Sequence, residues 1–190
     1  MPQDRGGRVK PALVLVDIQQ DYFPGGRMEV VRATEASIVA RRLLEHFREN
    51  ELPVIYIQHI STRAGAAFFL PDTEGVNIHE SVAPLPDETI IEKHFPNSFR
   101  NTRLHEYLAA RGIKELVFCG MMSHMCIDAT VRAAFDNGYS CIVAHDACAA
   151  RNLVFNGTDI PATHVHGAYM AALGAVYAKV LSAEEIIGML

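Results

Sequence analysis

The chain has 190 residues, 49% of them hydrophobic and 21% charged, and a formal net charge of −5. These values predict one soluble domain with a substantial core, and they exclude a basic face for nucleic acid. No apolar run is long enough to span a bilayer, so no membrane partner is expected. Residues 1–10 lack the apolar core of a signal peptide. They are interpreted as a disordered lead-in to one domain at 11–190, and a cytoplasmic location is expected.

After this lead-in the sequence alternates between two hydrophobic patterns. Short apolar runs predict six strands, at 11–17, 53–59, 89–92, 115–119, 140–144 and 175–181. Helical spacing of apolar residues predicts helices at 34–50, at 101–111, after Gly120, near 162–173, and after a capping-box pattern at Ser182–Glu185. This alternation predicts an α/β fold: a single-domain doubly wound, Rossmann-like six-stranded parallel sheet with helices on both faces.

A long segment at 60–88 interrupts this pattern with several proline and glycine residues. Loops of this length inside a compact domain usually serve a function, often as lids or binding loops. Phe68 and Phe69 stand in the middle of the segment. They are candidate walls of a binding site, although aromatic side chains more commonly pack in the core.

Three chemically capable side chains follow three of the predicted strands. Asp17 ends the first strand, Lys93 follows the third, and Cys126 lies just beyond the fourth. In a doubly wound sheet, ligands bind outside the carboxyl ends of the strands, where the strand order reverses. We therefore predict a site built from these three residues. A plain salt bridge between Asp17 and Lys93 would leave the same pattern in the sequence.

Cys126 is the candidate nucleophile. Its predicted place in the first turn of a helix would expose it to unpaired backbone N–H groups and to the positive end of the helix dipole. Both lower the pKa of a thiol, and the same N–H groups can hold an oxyanion. The competing interpretation is a buried structural cysteine. The remaining cysteines, Cys119, Cys141 and Cys148, match neither a zinc motif nor a redox pair.

Together the three strand-end residues suit attack on a carbonyl carbon. Asp17 can act as the base if burial raises its pKa, while Lys93 orients the carboxylate and stabilises the thiolate. Asp17 would later protonate the leaving amine. No histidine stands in an evident strand-end position that would form a cysteine–histidine pair with Cys126.

Three motifs occur in a fixed order along the chain: D-x-Q-x-D-[YF] at 17–22, Lys93, and GMMSHMCIDATVRAAFDNGY at 120–139. With these motifs the chain resembles the isochorismatase-like cysteine hydrolases, which include nicotinamidases and N-carbamoylsarcosine amidases. The resemblance implies that Asp17, Lys93 and Cys126 form a catalytic triad. It also implies attack of the thiol on an amide carbonyl, release of ammonia or an amine, and hydrolysis of the resulting thioester.

The same resemblance implies further details around the triad. A cis peptide is expected at Met121–Met122, and the N–H groups of Met122 and Cys126 are expected to form the oxyanion hole. Tyr22 matches the family's aromatic residue beside the substrate, and His124 is a candidate substrate contact two residues before the nucleophile. Self-association as a dimer or tetramer is also expected.

No metal or other cofactor is expected. Nicotinamidases carry an Asp-x-His metal pair on the second strand, where this chain has His59 and Ser61. A single histidine lacks the ligand count and spacing of a metal site. His59 is therefore interpreted as a hydrogen-bonded or substrate-facing residue, and His79 has no evident partner. Without the metal pair, nicotinamide is not the favoured substrate.

The favoured function is hydrolysis of the C–N bond of a small carboxamide through a cysteine thioester. If Phe68 and Phe69 line the site, they favour a flat or apolar acyl group over a highly charged one. One alternative is isochorismatase-type vinyl ether hydrolysis, which does not need the thiol. The other is a non-catalytic binding or redox-sensing protein, in which an exposed Cys126 of low pKa would oxidise.

Overall fold

The computed structural model describes residues 10–190, so the disordered lead-in predicted for 1–10 lies outside the described residues except for the exposed Lys10. Eight strands are present in this part of the chain: β1 Ala12–Val16, β2 Val54–His59, β3 Thr89–Lys93, β4 Glu115–Met121, β5 Ser140–Ala149, β6 Leu153–Phe155, β7 Thr158–Ile160 and β8 Lys179–Leu181. Five α-helices lie in the same range: α1 Ala33–Glu49, α2 Leu104–Ala110, α3 Asp128–Asp136, α4 Ala162–Val176 and α5 Ala183–Met189. None of these described helices is long and apolar enough to cross a membrane.

Six of the strands form one parallel sheet in the order β3-β2-β1-β4-β5-β8. Val14 of β1 pairs with Ile55 of β2 on one side and with Phe118 of β4 on the other. The chain builds outward from β1 to β3 and then crosses back to β4, so the strand order reverses between β1 and β4. The predicted α/β class and six-stranded parallel sheet are confirmed. The crevice at the carboxyl ends of β1 and β4 is where such sheets bind ligands.

Helices cover both faces of this sheet, and alternate residues of each strand supply two separate cores. On β1, Leu13 and Leu15 belong to the core that is closed by buried side chains of α1 and α5. Val14 and Val16 belong to the opposite core, which is closed by side chains of α2, α3 and α4. Because β1 is buried on both faces, the residue that follows it is held in a well-packed frame.

The fifth strand is longer than predicted. It continues past Ala144 to Ala149, because its pairing with β4 shifts register and then resumes where Gly120 pairs with Cys148. At the register shift, β5 continues through His145 and then pairs with β4 again. The predicted loop after Ala144 is therefore wrong in its first part.

The rest of that predicted loop contains a short hairpin formed by β6 and β7. Its turn is Asn156-Gly157, and both residues have positive φ, at 49° and 74°. Asn-Gly between short apolar runs is a strong hairpin signal, because a two-residue turn that matches the strand twist needs positive φ at both positions. The sequence contained this signal, but the prediction did not use it.

The predicted last strand at 175–181 begins too early. Helix α4 continues to Val176, and β8 covers only Lys179–Leu181. Leu173 and Tyr177 stand one helical turn apart and pack into the same core, so the helical period continues through the apolar run. The predicted capping box at the start of α5 is confirmed.

The connection from β4 to α3 is wider than an ordinary helix start. A π-type turn spans Ser123–Ile127, and α3 begins only at Asp128. The Met122 carbonyl accepts a hydrogen bond from the Ile127 N–H at 3.2 Å, five residues further on. The sequence analysis predicted Cys126 in the first turn of the α-helix, and this is wrong. Cys126 lies in the π-type turn that precedes the helix. Turns of this kind are rare and are frequently found at functional sites.

Gly120 permits the close approach of β1 and β4 at the point where the strand order reverses. Its φ is +124°, and a Cβ atom there would overlap the backbone of Val16. Gly120→Ala is therefore expected to lower the free energy of unfolding by about 3–5 kcal/mol, measured by urea denaturation. Gly167→Ala in α4 is the matched control, because a Cβ atom there meets nothing within 4 Å. That variant is expected to be as stable as the native chain or up to ~1 kcal/mol more stable. Equal stabilities of the two variants would contradict the steric argument.

Candidate active site

The carboxyl ends of four neighbouring strands contribute side chains to one cluster. Asp17 follows β1, His59 ends β2, Lys93 ends β3, and Cys126 lies in the turn after β4. Asp17 has a φ of 51°, a left-handed conformation that is uncommon outside glycine and is often found at functional sites. The cluster contains the three residues predicted from the sequence, and it adds His59.

Asp17 and Lys93 form a buried ion pair at the centre of the cluster. Lys93 Nζ lies 2.8 Å from Asp17 Oδ2 and also donates to the Pro96 carbonyl at 2.8 Å. Burial raises the pKa of Asp17, but Lys93 and His59 outweigh it and leave that pKa below its usual range. Burial lowers the pKa of Lys93, but Asp17 and Cys126 leave it above its ordinary value. The resting pair therefore consists of a carboxylate and an ammonium group.

The Cys126 thiol lies beside this pair and is only 3% exposed. Burial, and after it the Asp17 carboxylate, raise the pKa of the thiol well above its ordinary value, against the lowering effect of Lys93. The predicted lowering of this pKa is therefore wrong. That prediction assumed an accessible sulfur at a helix N-terminus, whereas loss of solvent dominates in the observed turn. The thiol is protonated at rest and needs a base at the moment of attack.

His59 ends β2, which contradicts the expectation that no histidine stands in a strand-end position suited to a pair with Cys126. Its Nδ1 lies 3.8 Å from Asp17 Oδ2, and donor atoms of Asp17, His59 and Cys126 all lie within 4.8 Å of one another. Sequence reasoning compared His59 with a metal-ligand pattern and overlooked that it ends β2 as Lys93 ends β3. Among the described residues, these three also form a group that could hold a metal ion. The expected absence of a metal therefore stays a prediction.

Side chains from the segment after β1 anchor the long loop. The Gln19 amide donates to the carbonyls of His59 and Val76 at 2.9 Å and 2.7 Å, and its Oε1 accepts from the His59 N–H at 2.7 Å. Asp21 Oδ2 accepts from the Phe69 N–H at 2.6 Å. These contacts give Gln19 and Asp21 a structural role. Together they hold His59 and the middle of the loop beside the cluster.

The backbone next to the thiol contains the predicted cis peptide between Met121 and Met122. The oxyanion hole predicted from the N–H groups of Met122 and Cys126 stays a prediction. So does the catalytic role of the triad, since a buried ion pair next to a thiol has the same geometry whether or not it reacts.

Three predicted wall residues, Tyr22, Phe68 and Phe69, form one aromatic cluster. The Tyr22 ring centroid lies 4.6 Å from that of Phe69 and 5.9 Å from that of Phe68, and the Phe69 ring lies 5.8 Å from the His59 ring. Burial is the main cause that raises the pKa of Tyr22. Tyr22 and Phe69 are buried, while Phe68 is partly exposed. Phe68 is therefore the member of the cluster that is most open to a ligand.

His124 faces helix α4. Its ring centroid lies 6.1 Å from that of Tyr169, and burial lowers its pKa. The neighbouring Ser123, which sequence reasoning did not single out, donates to the Ala149 carbonyl at 3.1 Å and lies 2.8 Å from His166 Nδ1. The predicted substrate contact of His124 therefore stays a prediction, while Ser123 ties the turn to β5 and α4.

His79 packs away from the ion pair. Its ring stacks on Phe23 at 3.5 Å, and its Nδ1 lies 2.8 Å from Ser81 Oγ. The residue caps a short turn in the long loop. These contacts account for His79 without a role in chemistry.

An open cavity of about 370 Å³ lies near the end of β5, beside the amino ends of α1 and α4. Polar side chains that line it include Arg32, Glu35, His145 and His166. Neither the ion pair nor the thiol lines this cavity, so its size is no guide to where the chemistry takes place.

Comparisons with known proteins agree with this fold. The family model for the Isochorismatase domain matches residues 11–185. The isochorismatase family protein YddQ of Bacillus subtilis, itself uncharacterized, is 54% identical over 176 residues, which cover 93% of this chain and 98% of that protein. A crystal structure of a hydrolase assigned to the isochorismatase family, from Oleispira antarctica, superposes with a TM-score of 0.92 at 46% identity and covers 96% of this chain and 98% of that one. The ureidoacrylate amidohydrolase RutB of Azorhizobium caulinodans is 27% identical over 169 residues, 72% of this chain and 74% of that protein.

Proposed function

Because this chain belongs to the isochorismatase family of hydrolases, we propose that it hydrolyses the C–N bond of a small carboxamide through a thioester on Cys126. The observation that carries the proposal is the buried thiol of Cys126 beside the buried Asp17–Lys93 ion pair. A relative that is named an amidohydrolase supports the choice of a C–N bond.

In the first half of the reaction, the Cys126 sulfur attacks the amide carbonyl carbon while Asp17 takes the thiol proton. The Asp17 carboxylate is present at rest because its pKa is held low. The C–N bond of the tetrahedral intermediate then breaks, and Asp17 returns the proton to the leaving nitrogen. Lys93 keeps its proton throughout, and it orients the carboxylate and stabilises negative charge on sulfur.

In the second half, a water molecule attacks the thioester carbon and gives its proton to Asp17. The C–S bond breaks, the acid is released, and the sulfur regains its proton from Asp17. In both halves the carbonyl oxygen becomes negatively charged. The backbone N–H groups of Met122 and Cys126 are the proposed donors to this oxygen.

The acyl part of the proposed substrate is limited by the aromatic cluster of Tyr22, Phe68 and Phe69. An aromatic wall beside the cluster favours flat or apolar acyl groups over highly charged ones. Ammonia or a small amine is the proposed leaving group, and Asp17 is the group that protonates it.

Phe68→Ala tests this wall. The variant is expected to raise KM for an aromatic primary amide by about tenfold, with little change in kcat, because it removes an apolar contact worth ~1–2 kcal/mol. Steady-state kinetics of ammonia release gives both constants. Phe155→Ala on β6 is the matched control, since Phe155 is 68% exposed and lies outside the cluster. A KM for Phe68→Ala equal to that of Phe155→Ala would remove Phe68 from the binding site.

The redox-sensing alternative agrees poorly with the buried position of Cys126. A redox-sensing cysteine needs exposure and a low pKa, and Cys126 has neither. Vinyl ether hydrolysis differs from the proposal in not needing the thiol, so the two functions make opposite predictions for a variant that lacks it.

The direct test is a panel of primary amides and ureido compounds, including nicotinamide, assayed for ammonia release. The native protein is expected to release ammonia from at least one aromatic or aliphatic carboxamide. Rapid acid quench followed by mass spectrometry is expected to show one acyl group on the peptide that contains Cys126. Turnover without any acylated peptide, even with slow substrates, would argue against the thioester.

A further inference from the structure

The side chains of Asp17, His59 and Cys126 form a set of three converging donors. One oxygen, one nitrogen and one sulfur lie within 4.8 Å of one another. Both carboxylate oxygens of Asp17 and Nδ1 of His59 are buried and lack an aligned hydrogen-bond partner among the described residues. Lys93 Nζ is close to Asp17 Oδ2 but off the hydrogen-bond axis, so this contact is an ion pair and leaves Oδ1 free.

This spacing is close to that of a metal site. Around a tetrahedral ion with Zn–S near ~2.3 Å and Zn–N or Zn–O near ~2.1 Å, ligand atoms stand roughly 3.3–3.7 Å apart. His59 Nδ1 and Asp17 Oδ2 are 3.8 Å apart as they stand. Small side-chain rotations therefore suffice to bring all three donors onto one ion, with a fourth position left for water.

We propose that Asp17, His59 and Cys126 form an inhibitory binding site for Zn²⁺ and similar borderline divalent ions. On binding, the S–H bond breaks, its proton leaves to solvent, and the thiolate electron pair bonds to the ion. One Asp17 oxygen binds the ion while the other stays beside Lys93. The same event removes the nucleophile and the base, so the loaded protein cannot form a thioester.

The donor set also determines which ions bind. Sulfur and imidazole nitrogen suit Zn²⁺ and Co²⁺, whereas Mg²⁺ and Ca²⁺ prefer sites built from oxygen atoms alone. His59 is the member of the set that reaches solvent, with a side chain that is 13% exposed. It therefore lies on the entry side of the site.

Co²⁺ titration of tag-free, chelator-treated protein tests the proposal without any substrate. The native protein is expected to bind one Co²⁺ with a thiolate-to-cobalt charge-transfer band in the near ultraviolet. Cys126→Ser is expected to lose the band, and His59→Gln is expected to weaken binding by at least tenfold. His59→Gln keeps the main-chain bonds to Gln19, so it is expected to fold. His164→Gln is the control, because His164 is exposed on α4, and its affinity is expected to equal that of the native protein.

Several results would overturn the site. They are the absence of a band in the native protein, a band that survives Cys126→Ser, or a His59→Gln affinity equal to that of His164→Gln. If His59→Gln does not fold, His59→Asn serves in its place. For an amide that is turned over, Zn²⁺ is expected to inhibit and a chelator to restore activity, whereas Mg²⁺ has no effect. A cobalt band from a protein that cleaves no amide would leave the metal site intact, but it would defeat the proposed function and the inhibitory role that rests on it.

Discussion

Cys126→Ala is expected to lower ammonia release from the best amide substrate by at least about four orders of magnitude. The reason is that Cys126 supplies the proposed nucleophile beside the Asp17–Lys93 ion pair. Removing the sulfur leaves the carboxylate with only water to activate, and no covalent intermediate can form. The measurement is single-turnover ammonia release at saturating substrate, combined with the mass of the quenched protein.

Cys141→Ala is the matched control for this variant. Cys141 is also a buried thiol, but it lies in β5, and its Sγ contacts the carbonyls of Val131 and Tyr139. Its loss is expected to reduce stability modestly and to leave kcat within a few-fold of the native value. Turnover that persists in Cys126→Ala would instead favour the ether-cleaving alternative, in which the thiol has no role.

Lys93→Met is expected to lower kcat by about three orders of magnitude at neutral pH and to shift the acid limb of the pH–rate profile upward. In the native protein Lys93 holds the pKa of Asp17 below its usual range, and burial acts in the opposite direction. Without the ammonium group, burial prevails and the pKa of Asp17 rises. The active form is the carboxylate, so activity is lost as pH falls through that pKa, and a higher pKa moves this loss toward neutral pH.

The same substitution affects stability in a pH-dependent way. A carboxyl group whose pKa is lower in the folded state contributes stability above its unfolded pKa, and this contribution is lost as pH falls through the folded pKa. Lys93→Met leaves the buried Asp17 carboxylate without its partner cation. This is expected to lower the free energy of unfolding by about 3–5 kcal/mol near neutral pH. Urea denaturation at several pH values measures this loss, and Lys114→Met at an exposed position is the control. An acid limb that stays in place while activity falls would mean that Lys93 acts only through packing.

The location of the site could be predicted from the sequence because a parallel sheet aligns the ends of its strands. Asp17, Lys93 and Cys126 could be placed at one edge from three short apolar runs, and the family resemblance added the cis peptide at Met121–Met122. His59 obeys the same logic at the end of β2. It was missed because a local ligand pattern was given more weight than its position.

The protonation state of Cys126 could not be obtained in this way. A sequence shows that a cysteine follows a strand, but it does not show how much solvent the folded turn excludes. The turn Ser123–Ile127 is set by the register of β4 and by the Met122 carbonyl, which are tertiary features. The start of β8 was missed for a related reason, since an apolar run between a helix and a strand fits either element until its packing partners are known.

The alternating residues of the first motif divide two tasks between them. Asp17 takes part in the ion pair. Gln19 and Asp21, in the same short segment, hold the long loop at Val76 and Phe69. The backbone groups of Asn77 and His79 are also hydrogen-bonded to this motif, so the loop is held at Phe69 and from Val76 to His79. The stretch 62–67 lies before these fixed points, and most of its residues are exposed. Sequence changes confined to 62–67 are therefore expected to leave the Asp17–Lys93 ion pair in place.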